Sequence, residues 1–198
     1  MFEYIIGNVV AIDDDYIVLQ NNGIGYKIFT STNSMMDLEL GMKDALIYTY
    51  FNVRDDGVYL YGFVTKEEIN IYKMLLMVSK IGPKTAIGIL SGLTPNDIKV
   101  AILRNDLPLL CKAPGVGKKT AERIVLELKD RIDMDDVDFV EEKKSRSSKS
   151  DDYEKAVDGL MSLGYRRFEI EKVLKRLDLS NMKLEELIRE GLKKLSKN

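Results

Sequence analysis

The sequence predicts a chain of several domains, β first and α after: a small antiparallel barrel, a helical block, and a three-helix domain on a flexible linker. Three observations carry this. Residues 1–63 fall into short apolar runs separated by turn signals, among them Asn21-Asn22-Gly23 and Asp55-Asp56-Gly57. Residues 64–132 change to helical spacing and contain one glycine-centred pattern twice, 35 residues apart. Residues 133–150 lose all periodicity, and 151–198 regain it.

In the first block, Phe2–Ile6 and Val9–Ile12 are expected as strands, then Tyr16–Leu19, Ile24–Phe29, Ala45–Val53 and Val58–Phe63. A loose Ser/Thr/Met stretch precedes Ala45. Five or six strands in about 60 residues fit an OB-fold barrel. Such barrels often bind nucleic acid, but this one carries 9 acidic against 3 basic side chains, net −6. Its broad surface is therefore not expected to hold DNA directly.

The helical block opens with Thr65-Lys66-Glu67-Glu68, the pattern of a capping box. Ile69, Tyr72, Leu75 and Leu76 then share one face. Ile81-Gly82-Pro83-Lys84-Thr85-Ala86 recurs as Val116-Gly117-Lys118-Lys119-Thr120-Ala121, and Ile89-Leu90 recurs as Ile124-Val125 in the same register. Between the copies, Thr94 caps a helix that starts at Pro95 and runs to Arg104. In the second copy, Pro114-Gly115-Val116-Gly117 supplies two glycines for a tight turn and close backbone approach. The helix that follows begins with two lysines and buries Ala121, Ile124, Val125 and Leu128. Its first amides lack partners within the helix and its dipole favours an anion there, which suits a phosphate oxygen. No long glycine loop and no clear preceding strand are present, so a nucleotide site of the P-loop kind is not expected. A glycine turn between two helices that grips a phosphate backbone is the helix-hairpin-helix motif, here in tandem. The block carries 12 basic and 7 acidic side chains, net +5, so the chain's positive charge lies with the hairpins.

Composition narrows the chemistry. Histidine is absent and Cys111 is the single cysteine, so no His-centred triad, His-bearing zinc site or internal disulfide can form. Cys111 is expected as a small buried hydrophobe near the second hairpin. No catalytic residue, metal site or cofactor is expected. No apolar run approaches 18 residues and no signal-like sequence opens the chain, so a cytoplasmic location without membrane association is expected.

The stretch 133–150, charged and Ser-rich, reads as a flexible linker. Beyond it, Tyr153, Ala156, Val157, Leu160 and Met161 form one helical stripe, stopped at Gly164. Ile170, Val173, Leu174 and Leu177 form a second, and Leu184, Leu187, Ile188, Leu192 and Leu195 a third. Three short helices of nearly neutral charge, a UBA-like arrangement, fit a protein-binding module better than a second DNA site.

An N-terminal barrel with VRDDGVYLYGF, then IGPKTAIGILSG, then PGVGKKTAERIVLELKDR, and a tethered tail with Leu163-Gly164-Tyr165 closely resemble the RuvA family. The resemblance covers the chain apart from the linker. It implies the non-catalytic subunit that binds four-way (Holliday) DNA junctions, holds them open and planar, and recruits the RuvB ATPase for branch migration in recombination and repair. It also implies a homotetramer, or an octamer on DNA, with the RuvC resolvase as a further candidate partner. ATP is then used by the motor. Carried over, Gly82, Lys84, Gly115, Gly117, Lys118, Lys119 and Arg123 fall on the family's phosphate contacts, with Lys80 and Thr85 beside them. Asp55 and Asp56 fall on its acidic pin, and the Leu163, Gly164 and Tyr165 region on its motor-binding domain. Lys80 departs from the family pattern, which has glycine there; a side chain resists φ > 0, so a tighter or shifted first turn is expected.

Two plainer readings stand beside these. Asp55-Asp56-Gly57 is also a good solvated hairpin turn. The same hairpins also serve repair nucleases and glycosylases, but Glu122 and Glu127 lie on different sides of their helix, and a charged linker follows Lys129 where a catalytic aspartate would be needed.

Overall fold

The computed structural model describes residues 2–132, 149–165, 169–170, 173–174, 182 and 184–195. They fall in two compact units, divided between Phe139 and Val140.

The first unit begins with five strands: β1 (Tyr4–Ile12), β2 (Tyr16–Asn21), β3 (Ile24–Phe29), β4 (Ala45–Arg54) and β5 (Gly57–Phe63). They close into a barrel in the order β1-β2-β3-β5-β4, all pairs antiparallel except β3 with β5. This is the expected OB-type barrel. Ile5, Val9, Ile17, Leu19, Ile28 and Ile47 fill its interior, at alternate positions of their strands. The two expected N-terminal strands are in fact one. A bulge between Val9 and Ala11 absorbs the irregularity that looked like a break.

The stretch expected to be loose contains a helix, α1 (Thr32–Met36), capped by the Ser31 hydroxyl, which accepts from the Ser34 amide. Sequence periodicity missed it because one and a half turns hold too few apolar positions to show a period. It brackets the barrel against the helices. Thr32 N–H donates to Ser91 Oγ at 3.0 Å, and Asn33 Nδ2 donates to the carbonyls of Leu90 at 2.6 Å and Leu93 at 3.2 Å.

The helices that follow are α2 (Lys66–Met77), α3 (Pro83–Gly92), α4 (Pro95–Arg104), α5 (Leu107–Leu110) and α6 (Lys118–Leu128), with a 3-10 turn at Lys129–Arg131. The capping box at Thr65 and Glu68 is present, and a second joins Thr94 and Asp97. Short α5 was not expected; Asp106 caps it, and Pro108 sits in its first turn. A second core, separate from the barrel interior, joins β5 to the helices. Tyr61 and Phe63 of β5 pack with Tyr72 of α2, and the cluster continues through Leu75, Ile89, Leu90, Ile98, Ile102, Ile124 and Leu128. Cys111, expected to be buried, is only half-buried at the end of α5.

In the second unit, α7 (Lys149–Ser162) and α8 (Leu184–Leu195) are described, and residues 169–170 and 173–174 are also helical. The expected linker lies outside the described residues up to 148, and its last two residues already belong to α7. Ala156, Val157, Leu160, Ile170, Leu174, Leu187 and Leu195 form the core. Two stripe residues are misassigned: Met161 is 44% and Leu192 37% exposed, because each sits at the edge of its apolar arc. Leu177 lies outside the described residues. Gly191, between α8 and α7, is buried instead, and a Cβ there would lie 2.9 Å from Leu160 Cδ1.

Candidate nucleic-acid interface

The duplicated sequence folds as a duplicated structure. In the first copy, Val78 N–H donates to Leu75 O at 3.1 Å, Ile81 N–H to Val78 O at 3.1 Å, and Ala86 N–H to Gly82 O at 3.0 Å. Thirty-five residues on, Ala113 N–H donates to Leu110 O at 3.2 Å, Val116 N–H to Ala113 O at 3.1 Å, and Ala121 N–H to Gly117 O at 2.9 Å. The apolar residues of each turn point inward: Val78 and Ile81 in one, Ala113 and Val116 in the other. Each turn is thus pinned from below, with its outer side in solvent.

Both turns carry a positive φ at the same position, +80° at Gly115 and +69° at Lys80. The expected shift of the first turn does not occur. Lysine takes the left-handed conformation that glycine takes in the other copy, because the two flanking hydrogen bonds are the same. The position after next behaves differently. Gly82 (φ −99°) and Gly117 (φ −91°) have ordinary backbones that any residue can adopt. A Cβ on either would meet nothing within 4 Å. Neither turn geometry nor packing demands glycine there, and each glycine leaves the space at its helix start unfilled.

The helix starts point the same way. Helices α1, α2, α4 and α5 each have a side-chain cap, from Ser31, Thr65, Thr94 and Asp106. Helices α3 and α6 begin on glycine, without a side-chain cap or an acidic residue in the first turn. Lys84, Lys118 and Lys119 stand there instead, all exposed. A cation at this end works against the helix dipole. Open amides beside lysines are a poor design for an isolated helix and a good one for an anion. Among the described residues, none of Lys80, Lys84, Lys118 and Lys119 has an acidic partner.

The hairpins are locked together reciprocally. The turn of the second lies on α3, where a Cβ on Gly88 would sit 3.1 Å from the Pro114 carbonyl oxygen, and one on Gly92 3.3 Å from Pro114 Cδ. The turn of the first lies on α6. There Ser79 N–H donates to Glu127 Oε2 at 3.2 Å, and Arg123 Nη1 donates to the Ser79 carbonyl at 3.1 Å. Residues 123, 127 and 79 are the repeat equivalents of 88, 92 and 114. Arg123 therefore has a partner inside the protein. Thr85 lies half-buried between the hairpins, its Cγ2 3.8 Å from where a Gly115 Cβ would be.

Asp55 and Asp56 form the exposed two-residue tip of the β4–β5 hairpin, where Arg54 pairs with Gly57. Their environments differ, since Asp56 Oδ1 lies 3.6 Å from Arg54 Nε. In the second unit Gly164 (φ +93°) ends α7, with its amide on Met161 O at 2.9 Å and the Tyr165 amide on Leu160 O at 3.4 Å. Leu163 is left 60% exposed, while Tyr165 packs on the core. Among the described residues no three His, Cys, Asp or Glu side chains converge on a metal-sized site, and no single helix is long and apolar enough to cross a membrane.

Comparison with known proteins matches each part of the chain. The family model described as RuvA N terminal domain matches residues 1–62, the SAM-like helix-hairpin-helix tandem model residues 72–130, and the RuvA C-terminal domain model residues 151–196. The chain is 43% identical over 197 residues to the Holliday junction branch migration complex subunit RuvA of Alkaliphilus metalliredigens, covering 100% of both chains. It is 45% identical over 198 residues to that of Alkaliphilus oremlandii, again over 100% of both. With that of Clostridium perfringens (strain ATCC 13124) it shares 40% identity over 200 residues, covering 98% of this chain and 99% of the other.

Proposed function

The chain belongs to the RuvA family, and from that premise we propose that it binds four-way DNA junctions by their shape, as a subunit of a branch migration complex. The observation that carries the reading is the paired, uncapped glycine starts of α3 and α6, flanked by exposed lysines and open to solvent. Two such ends, in hairpins packed on each other, suit two phosphates of one duplex arm. Contacts to phosphates position a protein on DNA without reading sequence, so recognition is of form.

Selectivity then comes from assembly. Four copies around a fourfold axis would offer one hairpin pair to each arm and gather Asp55 and Asp56 where the strands cross. Carboxylates there repel phosphate and disfavour a plain duplex across the face. We assign the second unit, with Leu163 exposed beside the Gly164 stop, to a RuvB-type motor ATPase; ATP enters the scheme on that partner. An octamer on DNA, contact with a RuvC-type resolvase and a cytoplasmic setting belong to the same proposal. A nuclease or glycosylase reading has less behind it. Glu127 is engaged by Ser79 and Arg123, and the full-length relatives carry the name of a branch migration subunit.

The test is a salt titration of four-way junction binding by the wild type and Lys119→Ala. Each lost phosphate contact should reduce the slope of log K against log salt by about 0.9. An unchanged slope together with unchanged affinity rejects the assignment of this face. Cleavage of the junction in magnesium would favour the enzyme reading.

A further inference from the structure

We propose that Arg123 and Glu127 of α6 are positioning residues for the first hairpin. They hold the turn at Ser79 and Lys80 in its phosphate-binding shape, replacing the proline and glycine that do this locally in the second hairpin. The proposal rests on the reading of both hairpins as phosphate sites.

The two turns have the same geometry and opposite chemistry. In the second, Pro114 fixes its own φ, and Gly115 accepts φ +80° without a Cβ penalty. Proline then glycine is the pairing a type II turn favours. The first has serine then lysine, neither of which encodes that turn, yet Lys80 sits at φ +69°. An L-residue in this region brings its Cβ against backbone oxygen. Relief is close by. Flipping the peptide between Ser79 and Lys80 converts the turn to type I, with a negative φ at Lys80.

That flip is what α6 opposes. The carbonyl of the peptide that would rotate is Ser79 O, and it accepts from Arg123 Nη1 at 3.1 Å. The other side of Ser79 is held as well, its N–H on Glu127 Oε2 at 3.2 Å. Arg123 Nε lies 3.9 Å from Glu127 Oε1, so the two side chains also steady each other. Both main-chain groups of one turn residue are therefore fixed by a helix of the other hairpin. At the equivalent places α3 has Gly88 and Gly92, where no clamp is possible and none is needed, because Pro114 seats directly on the helix. The side chains appear where the turn cannot hold itself.

The distinguishing experiment is Glu127→Ala in two backgrounds, wild type and Lys80→Gly, read by the sign of φ at residue 80, from NMR backbone couplings and shifts, and by junction binding. The Ile81 amide is bonded to Val78 O in both turn types, so the flip is read at residue 80 itself. In the wild-type background Lys80 should move toward negative φ, with Gly115 in the second turn unchanged. Junction affinity should fall about fivefold, although the substitution removes a negative charge beside the phosphate face. With glycine at position 80 the flip brings no relief, so φ should stay positive and the loss of affinity should shrink below about twofold. A φ at Lys80 that stays positive, equal losses in the two backgrounds, or tighter binding from the lost charge would each overturn the proposal. If φ responds as expected but the wild type shows no junction preference, the clamp stands and the proposed function falls.

Discussion

The Ser34 hydroxyl donates to Oε1 of Glu68 at 2.8 Å, and through that bond the barrel is fastened to the helices. Glu68 is only 4% exposed, yet both its oxygens are engaged. Oε1 also accepts from Ser31 Oγ at 3.2 Å, while Oε2 accepts from the Thr65 amide at 3.3 Å and hydroxyl at 3.1 Å. One carboxylate thus closes the capping box of α2 and anchors α1. Glu68→Ala should cost about 3 kcal/mol, combining the lost cap with buried hydroxyls left unpaired. Urea unfolding followed by far-UV circular dichroism measures this, and a cost below about 0.5 kcal/mol would mean that the bond network fastens nothing.

Tyr72 sets a limit on alkaline stability. Its ring is fully buried against Tyr50, Tyr61 and Phe63, and among the described residues its hydroxyl has no hydrogen-bond partner. Burial, reinforced by Tyr61 and Tyr50, pushes its pKa well above the ordinary 10.0. The folded state therefore keeps a proton that the unfolded state releases above pH 10. Stability is whole below that pH and falls as pH rises beyond it. Tyr72→Phe removes both the titration and the unpaired hydroxyl. It should stabilise the protein by about 1 kcal/mol at neutral pH and weaken the decline in alkali. Urea midpoints at pH 7 and pH 10.5 test both halves; a destabilised variant would show that the hydroxyl has a hidden partner.

The two glycines of the second turn should separate under substitution. Gly115→Ala forces a side chain to φ +80° and should cost about 1–2 kcal/mol of stability. Gly117→Ser meets an ordinary backbone and empty space, and serine can cap α6 itself. Its stability should stay within about 0.5 kcal/mol of wild type while junction affinity drops about tenfold or more, because the hydroxymethyl group occupies the phosphate's approach. Wild-type affinity in a stable Gly117→Ser protein would remove the main support for the anion site.

What could be read from the sequence follows physical range. The hairpins are legible because their signals are local and occur twice, so the two glycine-lysine helix starts stand out together. The capping box at Thr65 and the cap at Thr94 are equally local and equally plain, although the reciprocal bond from Asp97 to Thr94 is seen only in the structure. Clamping of Ser79 by Arg123 and Glu127 spans 44 and 48 residues, and no pattern in the chain announces it. The bracket formed by α1 was hidden for the same reason, since Asn33 meets its partners 57 and 60 residues away. Repeat equivalence was the one available clue. Gly88 and Gly92 facing Arg123 and Glu127 in register marked an asymmetry that only packing explains.

The acidic tip gives the sharpest test of mechanism, because its two carboxylates are not equivalent. Asp55 and Asp56 are both exposed, and neither packs in the core. Neutralising both to asparagine should preserve the turn, since asparagine tolerates tight hairpin geometry as aspartate does. Gly57, at φ +154°, is untouched. In a fourfold assembly the substitution removes eight charges from the crossover, so ordinary duplex should bind more tightly and the junction-to-duplex ratio should fall. The single variants refine this. Asp56 faces Arg54 at 3.6 Å, so Asp56→Asn removes one negative charge and also frees a guanidinium for phosphate. Asp55→Asn removes a charge alone. Duplex affinity should therefore rise more for Asp56→Asn than for Asp55→Asn, and adding Arg54→Gln to Asp56→Asn should erase the difference. The measurement is a titration of each variant against junction and duplex at several salt concentrations. A ratio that stays at the wild-type value in the double asparagine variant at every salt would reduce the tip to a solvated turn.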